Sequence, residues 1–245
     1  MTSGSLFELQ DENLSPIEIL RLAADRFHGQ LVLATALGPE AQVLTHMIAR
    51  SELEIPIFTI DTGRLFEETQ ELIMRTNRTY GIRIEMVMPD LQDVEEMVGT
   101  HGPNMFREDR ELRKQCCFLR KVVPLQRVLS PYSAWMTGMR RNQSVTRESV
   151  KVFDWDEKNL LYKVNPLVNW TSKQVWDFIR ENDVPYNDLH DQGFPSIGCA
   201  PCTRAIQPGE EERAGRWWWE SPQDRECGIH IVDGRVVRRR ELVQA

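Results

Sequence analysis

The chain has 245 residues, of which 41% are apolar and 27% charged, and these values suit one α/β domain or a domain followed by a tail. A formal net charge of −7 and a pI near 5.4 argue against a general nucleic-acid-binding protein, which usually carries a basic excess. The first residues show no basic segment followed by an apolar run, and no window approaches eighteen uninterrupted apolar residues, so we expect a cytoplasmic protein without a membrane partner.

Helices and strands alternate in the predicted secondary structure. Ser15-Pro16-Ile17-Glu18 is typical of a helix start, with Ser15 as N-cap and Glu18 closing a capping box. Short apolar runs predict strands over residues 31–34, 55–60, 82–88 and 134–137. Further helices are expected to about residue 50, through residue 72, along the polar stretch of residues 107–121 and after the capping box at 171–174. The alternation predicts an α/β fold, with a mostly parallel sheet and helices on both faces.

Three loops follow predicted strands, at the edge where such sheets bind their ligands. Arginines in these loops and further along the chain carry planar guanidinium groups, whose fixed N–H donors suit phosphate or sulfate oxygens. The first loop matches neither the Walker A pattern nor G-x-G-x-x-G, and such a loop alone is more often a plain turn. Some of the arginines are expected to be ordinary surface charges. The candidate substrate-binding residues are Gly38, Asp61, Thr62, Gly63, Arg64, Arg140, Arg141, Gln143, Ser144, Arg213 and Arg216.

The five cysteines fall into three groups: the adjacent pair Cys116-Cys117, the C-x-x-C motif of Cys199 and Cys202, and Cys227 alone. Because the cytosol keeps thiols reduced, metal or redox chemistry explains them better than disulfides. Adjacent cysteines are poor ligands of structural zinc, whereas four thiolates fit a 4Fe–4S cluster. The alternative interpretation is a pair of buried helix cysteines and an unrelated C-x-x-C motif.

The remaining cysteine, Cys227, is a candidate nucleophile. It lies in the run Glu-Cys-Gly-Ile-His, close to His230 and downstream of Arg213 and Arg216. Nearby cations favour the thiolate, which is the reactive form of cysteine. Cys227 and His230 are therefore candidate catalytic residues, although a surface cysteine in a frayed tail is the alternative.

Together these residues resemble the iron–sulfur branch of the adenylylsulfate/phosphoadenylylsulfate reductase family. The similarity runs from about residue 30 to about residue 231. Six motifs occur in the same order as in the family, and together they are specific to it although each alone is not. One departure lies in the first loop, where Pro39 follows Gly38 and removes an N–H donor that a phosphate would use. The motifs are Cys116-Cys117-Phe118-Leu119-Arg120-Lys121, Gly198 to Arg204, Ile60 to Arg64, Gly138 to Ser144, Gly215 to Trp219 and Glu226 to His230.

The resemblance implies a Rossmann-like adenine nucleotide alpha-hydrolase fold and a reaction that converts adenosine 5′-phosphosulfate to sulfite and AMP in sulfate assimilation and cysteine biosynthesis. It implies that Cys227 attacks the sulfate sulfur to form an S-sulfocysteine, and that thioredoxin or a glutaredoxin-like protein then releases sulfite. The four paired cysteines would hold a 4Fe–4S cluster. Lys121 would be a catalytic cation beside it, acting electrostatically.

The same resemblance implies a division of the chain at residue 204. Residues 1–204 would form the nucleotide- and cluster-binding α/β domain, and residues 205–245 a mobile C-terminal tail that carries Cys227. The tail would have to move so that the reductant reaches the intermediate. A homo-oligomeric assembly is left open.

Three alternatives remain at this point. The first is reduction of 3′-phosphoadenylylsulfate, or dual specificity; cluster-free relatives generally use that substrate, so four cluster cysteines favour adenylylsulfate. The second is a cluster-bearing tRNA thiolation enzyme, which would want a Ser-Gly-Gly-x-Asp-Ser loop and a basic face that this chain lacks. The third is a non-catalytic adaptor that binds zinc through its cysteines.

Overall fold

The computed structural model describes residues 13–143 and 150–221. In this part of the chain the strands are β1 (Leu31–Ala34), β2 (Ile57–Ile60), β3 (Glu85–Val87), β4 (Ala134–Met136), β5 (Phe153–Asp156) and β6 (Leu161–Val164). The α-helices are α1 (Pro16–Arg26), α2 (Pro39–Arg50), α3 (Glu67–Tyr80), α4 (Leu91–His101), α5 (Arg110–Cys117), α6 (Val123–Leu129) and α7 (Ser172–Glu181). A π-helical segment, Phe118–Val122, joins α5 to α6. Single 3₁₀ turns lie at Met105–Arg107, Arg141–Gln143, Asp188–Gln192 and Ala200–Cys202.

The six strands form one sheet in the order β3-β2-β1-β4-β6-β5. All neighbouring pairs are parallel except β5 with β6, which are antiparallel at one edge. From β1 the chain adds β2 and β3 on one side and then crosses back to place β4 on the other side. The direction of winding therefore reverses between β1 and β4, which is where open α/β sheets form their ligand crevice.

The sheet is covered on both faces, as the sequence predicts. Leu31 and Leu33 of β1 belong to one apolar core, and Val32 between them belongs to another. Alternate side chains of a strand point to opposite faces, so the two cores lie on opposite sides of the sheet. The first includes residues of α1, α2, α3 and α7, and the second includes Leu125 and Leu129 of α6. The predicted α/β class and mostly parallel sheet are confirmed.

Two helix starts form as the sequence predicts. The Glu18 carboxylate accepts a hydrogen bond of 2.8 Å from the backbone N–H of Ser15, and Pro16 opens α1. At α7 the Thr171 hydroxyl accepts from the N–H of Gln174 at 3.2 Å. Both are reciprocal capping boxes that satisfy N–H groups left open at a helix start.

Other boundaries differ from prediction. α3 continues beyond residue 72 to Tyr80 and ends at Gly81, whose φ of +64° suits a left-handed cap. The third strand is shorter than residues 82–88, because Ile82 and Ile84 donate their N–H groups to Asn77 of α3 instead of to a strand. Helix α4 and the β5–β6 hairpin were not predicted.

After Cys202, the described residues contain only turns, bends and one isolated bridge, between Thr203 and Arg216. They pack back on the domain: Ile206 N–H donates to the Gly193 carbonyl at 2.9 Å, and Trp217 N–H donates to the Cys202 carbonyl at 3.2 Å. None of the described helices is long and apolar enough to cross a membrane.

Candidate functional site

The four paired cysteines come together in one pocket. Cys116 and Cys117 end α5, and Cys199 and Cys202 flank the last 3₁₀ turn. All four are buried free thiols that line a pocket with about 300 Å³ of empty space, including the part that opens to solvent. The predicted ligand set thus forms one site from two distant parts of the chain. The other residues that line the pocket are Arg64, Phe106, Arg113, Arg120 and Lys121.

One helix face supplies much of the pocket wall. Arg113, Cys116, Cys117, Arg120 and Lys121 follow one another at i, i+3, i+4, i+7 and i+8, the spacing that places side chains on one side of a helix. The π-helical segment begins directly after the cysteine pair. Such segments are rare in helices and occur frequently at functional sites. Thiols and cations therefore enter the pocket from the same surface.

The loop after β2 fastens the C-x-x-C segment. Thr62 Oγ1 lies 3.3 Å from Cys199 Sγ, within hydrogen-bonding distance. The Arg64 carbonyl accepts from the N–H of Ala200 at 2.8 Å, and the Thr62 carbonyl accepts from Arg120 Nη1 at 2.6 Å. This loop, predicted to bind substrate, packs in the structure against the cysteine pocket.

Asp61 and Gly63 give this loop its shape. The buried Asp61 accepts the Gly63 N–H on Oδ1 at 2.8 Å, which closes a tight turn. Gly63 has a φ of +68°, and a Cβ on it would lie 3.4 Å from Arg120 Nη1. Among the described contacts, these two predicted site residues thus shape the turn that carries Thr62.

Arg216 lies beside the segment that carries the C-x-x-C motif. Its backbone pairs with Thr203, and its Nη1 donates to the Ile197 carbonyl at 3.3 Å. Its guanidinium lies over the Trp217 ring at 4.6 Å. A Cβ on Gly198 would lie 2.2 Å from the Arg216 guanidinium, so only glycine leaves room for it. The sequence Gly198-Cys199 therefore permits a buried cation next to the C-x-x-C motif.

The local charges act unequally on the two cysteines of the C-x-x-C motif. Burial opposes the thiolate of Cys199, but Lys121, the Thr62 hydroxyl and Arg216 outweigh it and hold the pKa of Cys199 below its ordinary value. Lys121 acts both by its charge and by a hydrogen bond to the sulfur. At Cys202, burial and the neighbouring Cys199 thiolate raise the pKa to about 12. Of these two cysteines, Cys199 is the one whose thiolate the surrounding groups favour.

The residues of the pocket fit an anionic iron–sulfur cluster. Trp217 Nε1 and Arg120 Nε are buried donors without a hydrogen-bond partner among the described residues. An anionic group between the four thiols would accept from such donors. In the described ranges no three His, Cys, Asp or Glu side chains are arranged to hold a single metal ion.

The loops after β1 and β4 meet at the reversal point of the sheet. A Cβ on Gly138 would lie 2.7 Å from the Glu40 Cβ and 3.0 Å from the Ala41 backbone nitrogen. The absence of a side chain at residue 138 lets the two loops approach. Gly38, a predicted substrate residue, is the N-cap of α2 in this crevice, and Pro39 occupies the first helical position.

The carboxylate of Glu40 lies in this crevice. Glu40 Oε1 accepts from Arg140 Nε at 2.7 Å and from Gln143 Nε2 at 3.0 Å. The Arg140 side chain is 2% exposed. The predicted anion-binding Arg140 therefore has a carboxylate partner within the chain, and Gln143 is joined to the same carboxylate.

The other predicted substrate residues lie apart from the cysteine pocket or outside the described residues. Arg141 donates from Nε to the Val150 carbonyl at 2.8 Å and from Nη1 to Asn169 Oδ1. Arg213 is half-buried and its carbonyl accepts the Arg216 N–H at 3.0 Å. Outside the described residues lie Ser144, Cys227 and His230.

Two residues of these sites were not predicted. Arg113 lies one helical turn before Cys117, and the helical spacing of the pocket face carried this signal. Glu40 lies directly after Gly38 and Pro39, and no motif distinguishes it in the sequence. Its pairing with Arg140 depends on the crossing of β1 and β4 and left no local signal in the sequence.

The family of the chain follows from comparison with known proteins. Residues 30–205 match the model of the phosphoadenosine phosphosulfate reductase domain. This match covers the whole sheet and all four paired cysteines. The chain belongs to the phosphoadenosine phosphosulfate reductase family.

Relatives and a solved structure agree with this assignment. The adenosine 5′-phosphosulfate reductase of Allochromatium vinosum is 52% identical over 200 residues, which are 82% of this chain and 78% of that protein. The one from Burkholderia cepacia is 49% identical, over 84% of this chain and 82% of its own length. The crystal structure of phosphoadenylyl-sulfate reductase from Candida auris, in a phosphate complex, has a TM-score of 0.67 at 32% identity, covering 79% of this chain and 91% of that one.

Proposed function

We propose that the protein reduces adenosine 5′-phosphosulfate to sulfite and AMP, as a step of sulfate assimilation. The observation that carries the proposal is the pocket of four buried thiols lined by arginine and lysine side chains. Its support from comparison is that relatives 44–52% identical to this chain are named adenosine 5′-phosphosulfate reductases.

In the proposed reaction the fifth cysteine is the nucleophile. The Cys227 thiolate attacks the sulfate sulfur, a sulfur–sulfur bond forms, and the bond from sulfur to the bridging phosphate oxygen breaks. AMP leaves with that electron pair, and an S-sulfocysteine remains on the enzyme. A dithiol protein of the thioredoxin or glutaredoxin type then attacks Cys227 Sγ, releases sulfite and ends as a disulfide. The dithiol thus supplies the two electrons.

Cations are required because the thiolate and its substrate are both anionic. Lys121 and Arg216 lie at the cysteine pocket, and we propose that they offset this repulsion together with Arg213. His230 is proposed as a catalytic neighbour of Cys227 on the tail. Each preorganised donor at a developing charge contributes about 10²–10³ in rate in known enzymes.

We propose that Cys116, Cys117, Cys199 and Cys202 hold a 4Fe–4S cluster. When bound, the cluster would shape the electrostatic field beside the substrate. The thiols are buried in one pocket, and Arg120, which lines it, has a buried Nε donor that such an anion would satisfy.

The nucleotide is proposed to lie in the crevice between the loops after β1 and β4. The N-terminus of α2 and the loop from Gly138 to Gln143 border this crevice. The pairing of Glu40 with Arg140 gives these loops a fixed geometry, and Arg141, Gln143 and Ser144 remain proposed substrate contacts.

We further propose a boundary at residue 204, with residues 205–245 acting as a tail that brings Cys227 to the substrate. A cytoplasmic location is proposed because the mechanism depends on reduced thiols. The described beginning of the tail already contacts the cysteine-bearing part of the domain, through Trp217 N–H and the Cys202 carbonyl.

A second candidate substrate is 3′-phosphoadenylylsulfate. It is favoured by the name of the matching family model and by the solved reductase from Candida auris. The ratio of kcat/KM for the two nucleotides decides between them. We expect a clear preference for adenosine 5′-phosphosulfate, and a preference for the 3′-phosphorylated nucleotide would contradict that choice.

The proposed chemistry is tested by incubating the protein with ³⁵S-labelled adenosine 5′-phosphosulfate, without reductant, and analysing the tail peptide by mass spectrometry. We expect a sulfonate adduct on Cys227 and one equivalent of AMP. Cys227→Ser should form no adduct and no sulfite while it still binds the nucleotide. Normal sulfite production by Cys227→Ser would rule out the nucleophile.

A further inference from the structure

Arg113 and Glu220 are joined by an ion pair inside the protein. Arg113 Nε and Nη2 donate to the two carboxylate oxygens of Glu220, at 2.8 and 2.7 Å. The two side chains are 1% and 8% exposed. A bidentate arginine–carboxylate pair of this kind has a fixed geometry. If one partner were lost, the other charge would remain buried without a counter-ion, which is energetically costly. The pair therefore holds its two segments strongly together.

The segments that the pair joins are the cysteine-bearing helix and the first part of the tail. Arg113 lies on α5 and also hydrogen-bonds the sulfur of Cys117. Its guanidinium lies over the ring of Trp217 at 4.7 Å, and Arg216 lies over the same ring at 4.6 Å. Trp217 is 1% exposed. The segment 217–220 is thus held by charge, by ring contacts and by burial at the wall of the cysteine pocket.

We propose that Arg113 and Glu220 form a clasp, an ion pair that fastens residues 217–221 to α5 and sets the point from which the chain leads to Cys227. The proposal rests on the proposed function in one respect, the role of Cys227 as nucleophile. Arg113 and Glu220 are positioning residues, since they act on the reaction through the placement of Cys227.

The position of Glu220 limits where the nucleophile can go. Cys227 lies seven residues after Glu220, and a fully extended chain of that length spans at most about 25 Å. If the clasp opens, the next anchor toward the N-terminus is the buried Trp217, whose N–H donates to the Cys202 carbonyl at 3.2 Å. Cys227 then lies ten residues beyond its anchor. The effective concentration of a tethered group falls as about the −3/2 power of tether length, so Cys227 would be diluted roughly twofold.

The chain contains a second bidentate arginine–carboxylate pair, which serves as a control. Arg204 Nη1 and Nη2 donate to the carboxylate oxygens of Glu210 at 2.8 and 2.7 Å. Its chemistry and distances match the clasp, but the side chains are 33% and 32% exposed and only six residues apart. Its loss should disturb only a local loop, because exposed pairs contribute little.

The test compares Glu220→Gln with Glu210→Gln in the full-length, cluster-loaded protein. Hydrogen exchange of residues 217–221 should accelerate at least about tenfold in Glu220→Gln and stay unchanged in Glu210→Gln. In single-turnover experiments the rate of Cys227 sulfonation should fall roughly twofold in Glu220→Gln, with the Kd for the nucleotide unchanged. Unchanged exchange in Glu220→Gln would overturn the clasp.

A separate variant isolates the tether from the ion pair. Insertion of Gly-Ser-Gly after Ser221 lengthens the tether from seven to ten residues with the pair intact. We expect wild-type exchange at residues 217–221 together with the same roughly twofold slower sulfonation. If exchange accelerates in Glu220→Gln while sulfonation keeps its wild-type rate, the positioning role is contradicted.

Two further outcomes are interpretable. If Glu220→Gln does not fold, Glu220→Asp, which keeps the charge but shortens its reach, should show an intermediate acceleration of exchange; wild-type exchange in that variant would contradict the clasp. If the wild-type protein forms no adduct on Cys227, the proposed function fails, whereas the exchange measurement still decides whether the pair fastens residues 217–221.

Discussion

The cysteine pocket and the crevice between the loops after β1 and β4 differ in how far carboxylates of the chain neutralise their positive side chains. At the crevice, Arg140 is paired with the carboxylate of Glu40. At the pocket, Arg113 is likewise paired, with Glu220, but Arg64, Arg120 and Lys121 also line the wall, and none of the described residues that line it is acidic. The arginine of the crevice is neutralised by the chain itself, whereas the pocket has three lining cations in addition to the Arg113–Glu220 pair and is therefore arranged to receive negative charge. The first arrangement fixes loop geometry, and the second favours anionic chemistry.

The largest expected effect comes from removing one thiol of the pocket. Cys199→Ala should lose the visible absorption of the cluster and at least about 10³-fold in sulfite production, because the pocket cations then lack the anion that they surround. Iron content and absorption spectra measure the first effect, and a sulfite assay the second. A Cys199→Ala protein that keeps its iron and its activity would show that this cysteine is an ordinary buried residue.

The next effect separates a pocket cation from a surface cation on the same helical stretch. Lys121→Ala should lower kcat by about 10²-fold with most of the iron retained, because Lys121 acts on the sulfur of Cys199. Lys114→Ala is the matched control, since Lys114 is paired with Glu111 at the surface. Equal kcat values for the two variants would mean that Lys121 has no special place in the reaction.

At the crevice, removing the carboxylate should act on stability. Glu40→Gln leaves the buried Arg140 without its anion, which should lower the free energy of unfolding by about 3–5 kcal/mol and raise the KM for the nucleotide. Asp177→Asn is the control, since its partner Lys173 is 83% exposed, and it should change stability by less than about 1 kcal/mol. Urea unfolding measures both. A Glu40→Gln protein as stable as Asp177→Asn would refute the structural role of the crevice pair.

The smallest expected effect is a pH dependence next to the crevice. Burial lowers the pKa of His190, against the opposing influence of the Phe194 backbone, Glu40 and Asp191. Because its pKa is lower in the folded than in the unfolded protein, the unfolded chain binds the proton first. The contribution to stability is complete above about pH 6.5 and is lost as the pH falls below that value.

The measurement is the loss of unfolding free energy between pH 7.5 and 5.5. It should be smaller by on the order of 1 kcal/mol in His190→Gln than in the wild type, and unchanged in a variant of the exposed His28, His28→Gln. The same loss in all three proteins would show that His190 does not titrate in this way.

Much of the fold is predictable from local patterns. The capping boxes at Ser15 and Thr171 and the apolar run of β1 each determine their elements within a few residues. The β5–β6 hairpin was missed because β5 is a partly exposed edge strand with two aspartates and has no continuous apolar run. Edge strands are specified by their partner, which a local pattern does not show.

The candidate sites show the same division. The cysteine groups and the family resemblance predicted that the four thiols share one site, although the two groups are far apart in the sequence. The sequence did not show that Thr62 approaches Cys199 or that Glu40 meets Arg140. These contacts depend on which strand ends are neighbours in the sheet, and therefore on the complete topology.

The cluster is tested most directly by the iron and acid-labile sulfide content of the anaerobically purified wild-type protein, together with its visible absorption spectrum. We expect about four iron and four sulfide per chain and a brown protein. A colourless protein that contains one zinc ion, or one without iron and sulfide, would contradict the proposal that the cation-lined cysteine pocket holds an iron–sulfur cluster.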